Sequence, residues 1–417
     1  LRRTNATLSL LLAAACLVAF APAFTASVTN WDDDLYVRAP ESQRISAGTF
    51  THFVFGSFHP LTILSFAIEQ QLFGRNAFLL HATNVVLHAA SAALLFFLLR
   101  ELGAFSFGAF AGALLWAIHP LRVESVVWIA ERKDVLCTLF FVAALIAYGR
   151  RRLMLTFALF ALALLSKGMA VTFPLAMLSI DCLQRRRALL EKIPFLAMSA
   201  TFAAIGFAGQ RPNAAMNGLP LVCQTFLFYI GKIFLPIRLN AVYLYPHRIS
   251  WWSVPAAIAV VIIAFASRIS GFAMLFFAST IAVVLPFVSW SDTLAADRFT
   301  YIPSIGIAVA IAFITKPKAW PLIAIIAAIL GVLTFERSRV WHDSISLWNS
   351  VIAADPQIAQ AYNGRAAALF SGGDVAGARR DIDRALVIDP CYAPALRNQI
   401  VLGGGQPARD KLAKCQK

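Results

Sequence analysis

The sequence predicts an all-α, polytopic membrane fold of about eleven transmembrane helices followed by a short helical tail. Three observations carry this. Hydrophobic residues make up 59% of the 417-residue chain and charged residues only 14%, where soluble domains carry roughly 25%; the mean hydropathy is +0.72. Charge-free stretches approaching the length of a bilayer span recur as far as residue 335. The basic residues gather between them in short clusters: Arg2-Arg3, Arg150–Arg152, Arg185–Arg187, then Lys316 and Lys318. Such clusters mark cytoplasmic loops. They account for the net charge of +15 and leave no reason to invoke a nucleic-acid groove. Disorder would need the opposite composition.

A spanning helix needs about 20 apolar residues, each rising 1.5 Å through a hydrocarbon core of about 30 Å. Windows of this kind fall near residues 4–31, 76–99, 102–121, 135–149, 153–166, 168–180, 193–210, 212–231, 249–267, 269–291, 299–315 and 319–335. The first is longer than the apolar region of about 7–15 residues in a signal peptide and reads as an uncleaved span. With Arg2-Arg3 inside, strict alternation puts every basic cluster inside on one condition. The window 212–231 must enter and leave on the outer side, or lie along it. The windows 135–149, 153–166 and 168–180 are too short to span alone, so their helices extend through Asp134, Lys167 and Asp181. Charge there is tolerated at an interface or against a watered cavity, not in lipid.

The chain divides into a transmembrane domain (residues 1–335, with residues 30–80 as its first external loop) and a tail (residues 336–417). In the tail Ala354-Asp355-Pro356 recurs as Ile388-Asp389-Pro390, an offset of 34 residues. That is the period of tetratricopeptide repeats, which bury their faces by stacking. With only one or two repeats present, this tail is expected to lean on the membrane domain or on another chain. Cys16, Cys137, Cys182 and Cys223 lie in or beside apolar windows and read as small core hydrophobes. Cys391 and Cys415 lie in the outward tail, where an oxidising compartment permits a bridge. No Cys/His spacing points to zinc.

Charge is costly in such a chain, so its placement is informative. The topology puts five charged segments on the outer side. Asn30-Trp31-Asp32-Asp33-Asp34-Leu35-Tyr36 follows the first span. His119-Pro120-Leu121-Arg122-Val123-Glu124-Ser125 leads to Glu131-Arg132-Lys133-Asp134. Ser166-Lys167-Gly168, Tyr245-Pro246-His247-Arg248 and Ala296–Pro303 complete them, with His59-Pro60 and the run His81–His88 nearby. Each alone reads equally as an interface anchor or a satisfied ion pair, and the Asp run as a helix cap. Adjacent carboxylates repel, which raises the proton affinity of at least one. Arg binds phosphate through a planar fork and Lys as a point charge. A carboxylate base beside cations at a membrane face suits group transfer from a lipid-linked phosphate.

The matching stretches resemble the bacterial relatives of the transmembrane and tetratricopeptide-repeat-containing proteins, a branch of the GT-C membrane glycosyltransferases. They are Trp31–Tyr36, His59-Pro60-Leu61-Thr62, His81–His88, His119–Asp134, Leu190–Phe195, Tyr245-Pro246-His247 and Ala296–Pro303. The resemblance implies a polyprenyl-phosphate-linked sugar as donor and a hydroxyl acceptor, often a protein Ser or Thr, on the periplasmic face of a bacterial inner membrane. It implies inversion at the anomeric carbon, with Asp32 as general base and Asp33 as its partner. Lys167 is implied for the donor phosphate, with Arg298, Arg122 and His247 as further candidates; Glu124, Asp297 and His59 complete the substrate-binding set. No metal ligand is assigned. No cofactor is predicted, although a divalent cation (Mg or Mn) is compatible with the site. Two other functions fit parts of the chain. A transporter or flippase of lipid-linked sugars would place ionisable groups near the midplane between repeated halves, and the spans show no such symmetry. A non-catalytic scaffold presenting repeats leaves the outer charged loops unexplained.

Overall fold

Apolar windows become helices because only a helix satisfies its own backbone hydrogen bonds where water is absent. The computed structural model describes residues 2–54, 56–186, 188–209, 213–216, 218–246, 248–289 and 293–415. Its first helices are α1 (Arg2–Ala19), α2 (Asp33–Arg38), α3 (Pro60–Phe73), α4 (Ala77–Glu101), α5 (Ser106–Ala117), α6 (Val123–Val127) and α7 (Arg132–Gly149). They continue with α8 (Leu153–Ser166), α9 (Phe173–Gln184), α10 (Ile193–Gly209), α11 (Leu219–Phe234), α12 (Ser253–Ala264), α13 (Arg268–Ile281), α14 (Ile305–Ile314) and α15 (Trp320–Val340). Every window therefore holds a helix. Among the described residues, three stretches are long and apolar enough to cross a membrane: Ala77–Glu101, Leu190–Gly209 and Pro317–Val340. A fourth is the pair Ser106–Ala117 and Pro120–Val127 if the two count as one span bent by 56°. Pro120 explains the break, since it lacks the N–H the preceding turn would need.

The long helix α4 lies at the centre, packed against α1, α5 and α7. Helices α5 and α14 approach closely because α5 offers glycine. A Cβ on Gly108 would overlap the carbonyl oxygen of Ala312, and one on Gly112 that of Ala308. Small residues at such crossings are the usual route to tight packing in membranes. Gly108→Leu is expected to lower stability by about 1–3 kcal/mol through overpacking, read as a lower thermal midpoint in detergent. Gly149→Ala, where the added methyl meets open space, should leave the midpoint unchanged.

Two short antiparallel pairs tie together the connections that flank α11 and follow α13. Strand β1 (Asn213–Met216) pairs with β3 (Val288–Ser289), and β2 (Tyr243–Leu244) with β4 (Thr293–Ala295). Both flanks of α11 thus join the one segment that follows α13. Of the cysteines expected in the core, Cys16 and Cys137 are buried. Cys223 is only half-buried and Cys182 is exposed, a correction that follows from its place on the last turn of α9.

After α15 the chain forms α16 (Ser344–Ala354), α17 (Ala359–Ser371), α18 (Val375–Ile388), α19 (Ala393–Val401) and α20 (Gly405–Cys415). The pairs α17–α18 and α19–α20 start 34 residues apart, at Ala359 and Ala393, as the repeated sequence motif requires. Asp374 caps α18 by accepting from the Gly377 amide at 2.8 Å. Cys391 and Cys415 form a disulfide that closes the last pair.

Candidate functional site

The site begins at a strained turn. Asp32 has φ +61°, in the left-handed region, where Asp is tolerated better than most residues. This turn makes the two neighbouring carboxylates face different surroundings. Asp33 is fully buried and accepts three hydrogen bonds: from the Thr29 amide at 3.1 Å, the Thr29 hydroxyl at 2.7 Å and the Ala130 amide at 2.7 Å. It fastens the turn to the loop before α7. The Asp32 side chain is half-buried and, among the described residues, takes part in no hydrogen bond or ion pair. Burial raises its pKa above the ordinary carboxylate value, opposed by the charges of Lys133 and Arg298.

Beside Asp32 lies a buried cluster of charges drawn from distant parts of the chain. Glu131 is its hub, within 3.2 Å of Lys133, 2.9 Å of Lys167 and 3.3 Å of Arg298. Asp134 pairs with Lys167 at 2.7 Å and accepts from Ser125 at 3.1 Å. Glu124 pairs with the Arg298 guanidinium and also accepts from the Arg298 amide at 3.1 Å. Burial alone would raise the Glu131 pKa; the three cations outweigh it and hold the group ionised, well below the usual range. Three carboxylates and three cations thus face one another, and Trp128 lies under the Arg298 guanidinium at 5.2 Å.

The remaining expected residues fall into three places. His59 is buried at the start of α3, 5.4 Å from the Tyr36 ring. Burial pushes its pKa down to about 3, so it is neutral, and its Nε2 has no partner among the described residues. Asp297 is buried on the far side of Arg298, accepting from the Tyr243 hydroxyl at 2.9 Å, and burial pushes it up to about 7. Arg122 is not in the cluster. It donates to Thr300 at 2.7 and 3.2 Å and lies over the rings of Trp116 and Tyr301. Arg122, whose Nε has no partner among the described residues, and His119 line an apolar cavity of about 550 Å³ between α5, α11, α14 and α15. Leu115, Ile307, Ile311 and Ile323 supply much of its wall. His247 lies outside the described residues.

The sequence assignment passed over Glu131, Lys133 and Asp134 as individual site residues, although their run was visible. Nothing in the run itself separates them from Arg132, which turns away to pair with Glu69 at 2.6 Å and to donate to Asn84 at 3.0 Å. No group of His, Cys, Asp and Glu among the described residues has the arrangement of a metal site.

Helices of this length and composition, enclosing a charged cluster at one end, define a helical integral membrane protein. Its relatives narrow the class. The chain is 26% identical over 379 residues to "Protein O-mannosyl-transferase F38B6.6" of Caenorhabditis elegans, a match covering 81% of this chain and 54% of that protein. Over 95 residues it is 40% identical to "Protein O-mannosyl-transferase TMTC1" of Mus musculus and 38% identical to that of Homo sapiens. These matches cover 22% of this chain and about a tenth of each relative. The chain therefore spans about half the length of the first of these relatives. No family model matches it. A solved structure, ArnT from Cupriavidus metallidurans bound to undecaprenyl phosphate, superposes with a TM-score of 0.45 at 15% identity, covering 91% of this chain and 75% of that one. The chain is thus similar in sequence to proteins named as O-mannosyl-transferases, TMTC1 among them.

Proposed function

We propose that the protein is a GT-C-type glycosyltransferase, in which Asp32 removes a proton from an acceptor hydroxyl while the neighbouring cations receive the phosphate of a polyprenyl-linked sugar. The observation that carries this reading is the contrast within the acidic pair. Both oxygens of Asp33 accept hydrogen bonds, whereas Asp32 is half-buried, has no hydrogen-bond or ion-pair partner among the described residues, and feels the charges of Lys133 and Arg298. A base needs an ionisable group with a free lone pair within reach of substrate, and Asp32 alone of the two meets that condition.

In the step itself the acceptor oxygen attacks the anomeric carbon as its proton passes to Asp32. The bond from that carbon to the phosphate oxygen breaks, and its electron pair leaves with the polyprenyl phosphate. Attack from the face opposite the leaving group inverts the centre. Lys167, Lys133 and Arg298 are already held in place by Glu131, Asp134 and Glu124, so they need no rearrangement to meet developing charge, the condition under which such groups lower a barrier most. The apolar cavity beneath Arg122 suits the first isoprene units of the donor, and His59, with an unused Nε2, suits a hydroxyl of the sugar.

The same reading takes the shorter apolar helices as crossings that share the bilayer with their neighbours, eleven in all, with α11 lying along the outer side. It divides the chain at residue 335, with the cluster and the tetratricopeptide-like tail on the periplasmic side. The names of the relatives favour mannose as the sugar and protein Ser or Thr as acceptor. Purified protein in lipid nanodiscs, supplied with undecaprenyl-phosphate mannose labelled in the sugar and a mixture of Ser/Thr peptides, should transfer label to peptide. A donor neither transferred nor hydrolysed by this preparation would overturn the proposal.

A further inference from the structure

The tail does more than follow the last membrane helix. Its first two helices pack on the backbone that leads directly into Asp32. Trp348 of α16 donates from Nε1 to the Asn30 side-chain oxygen at 2.7 Å, and the Asn30 amide nitrogen donates to the Gly364 carbonyl of α17 at 2.8 Å. The backbone N–H of Asn30 donates to the Ser344 hydroxyl at 2.9 Å, and that of Ser27 to the His342 carbonyl at 2.8 Å. The side chain of Asn30 is thus used at both ends, one donor and one acceptor, each against the tail.

Four indoles continue the contact into the charged cluster. The Trp348 ring stacks on Trp31 at 5.1 Å, Trp31 lies 5.1 Å from Trp128, and Trp341 stacks on Trp128 at 5.4 Å. Trp128 donates its Nε1–H to the Trp31 carbonyl at 2.7 Å and carries the Arg298 guanidinium on its face. Gly364 is part of the fit, because a Cβ there would overlap the Trp348 ring. Chain separation makes the arrangement informative: Asn30 and Trp348 are 318 residues apart. A left-handed turn at a non-glycine residue persists only where its surroundings over-determine it, and here one side of those surroundings is Asp33 and the other is the tail.

We infer that the tail is a positioning element of the candidate site: Trp348 and Gly364, acting through Asn30, hold the strained turn that presents Asp32. The inference rests on Asp32 being the base, and its test is built to fail separately from that reading. Asp32→Cys is placed in the full-length chain with the four free cysteines replaced by alanine, and its labelling by a water-soluble maleimide is timed. Asn30→Ala, Trp348→Phe and Gly364→Ala should each speed labelling at position 32 at least tenfold. Trp348→Phe keeps an aromatic ring in the stack but loses the N–H and part of the ring area, and it is read beside Asn30→Ala, which leaves all four indoles whole. Asn30→Asp, which retains the acceptor for Trp348, should give a smaller increase than Asn30→Ala. Gln406→Ala, far along the tail, should change nothing.

With Asp32 intact and undecaprenyl-phosphate mannose as donor, Asn30→Ala should lower kcat about tenfold with the donor KM within twofold. Labelling rates in the latch variants within twofold of the parental background would overturn the positioning role, whatever the activity. An Asp32→Asn protein that transfers sugar at the parental rate would instead overturn the assignment of the base.

Discussion

Glu131→Gln should be the most destabilising single substitution in the charged cluster, costing about 3–5 kcal/mol, the range for removing one partner of a buried ion pair. The reason is the distribution of partners. When Glu131 is neutral, Arg298 still has Glu124 and Lys167 still has Asp134. Lys133 loses its ion-pair partner and keeps the Tyr36 hydroxyl at 3.3 Å, the faces of the Tyr36 and Trp128 rings and the more distant charge of Asp32. A buried ammonium that has lost its paired carboxylate recovers little of its desolvation cost. The effect should be read as a fall in the thermal unfolding midpoint of detergent-solubilised protein, little altered by added salt because the cluster is shielded from screening ions. Lys133→Met placed in the same chain should recover part of the loss, a coupling of about 0.5–3 kcal/mol in the double-mutant cycle. Glu131→Gln melting with the parent, or a cycle that is strictly additive, would show that Glu131 does not hold the cluster together.

That hub also marks the limit of what is legible in the chain. Charge-free windows place the apolar helices, each window holding one, because an apolar stretch is a property of its own segment. The 34-residue offset of the tail is likewise a local signal, whereas the bend at Pro120 lies at the end of the window 102–121, which reads as a single span. What joins Glu131 to Lys167 and Arg298 is not local: the partners come from the start of α7, the end of α8 and the turn before α14. The run Glu131-Arg132-Lys133-Asp134 contains four charges of which three enter the cluster and one leaves for Glu69, a choice set by helical phase and by where Glu69 sits. The indole stack is equally silent in sequence, since Trp31, Trp128, Trp341 and Trp348 are individually ordinary. Asp32 and Asp33 stand out in the sequence as a pair, but identical neighbours cannot be told apart until the sign of one φ angle is known.

Replacing Asp32 by asparagine should lower the rate of sugar transfer by 10² to 10⁴, roughly the contribution of a general base, while leaving the melting midpoint close to the parent. Among the described residues its side chain makes no hydrogen bond or ion pair whose loss would destabilise the fold. Asp33→Asn should behave in the opposite sense. An amide at position 33 cannot accept at both oxygens, so one of the Thr29 or Ala130 donors is left buried and unpaired, at a cost of about 1–3 kcal/mol. The pH dependences separate the two further. A base acts only when ionised, and burial raises the Asp32 pKa above its ordinary value. Transfer should therefore rise with pH along a limb lying above the usual aspartate value of about 3.9, and Asp32→Asn should lack that limb.

For Asp33 the signature is in stability. Burial pushes its pKa up to about 7 in the folded protein, while in the unfolded chain it titrates near ~3.9. Between those values the folded state binds more protons than the unfolded one, so stability declines as pH rises through that window. Asp33→Asn cannot titrate and should flatten the decline. Asp32, raised in the same direction, leaves a residual slope of the same sign. Asp32→Asn with parental turnover, together with an Asp33→Asn protein that is stable but inactive, would exchange the two roles. The unengaged carboxylate would then be the bystander, and the catalytic proton would have to leave by way of Asp33, whose two oxygens are already bonded to Thr29 and Ala130.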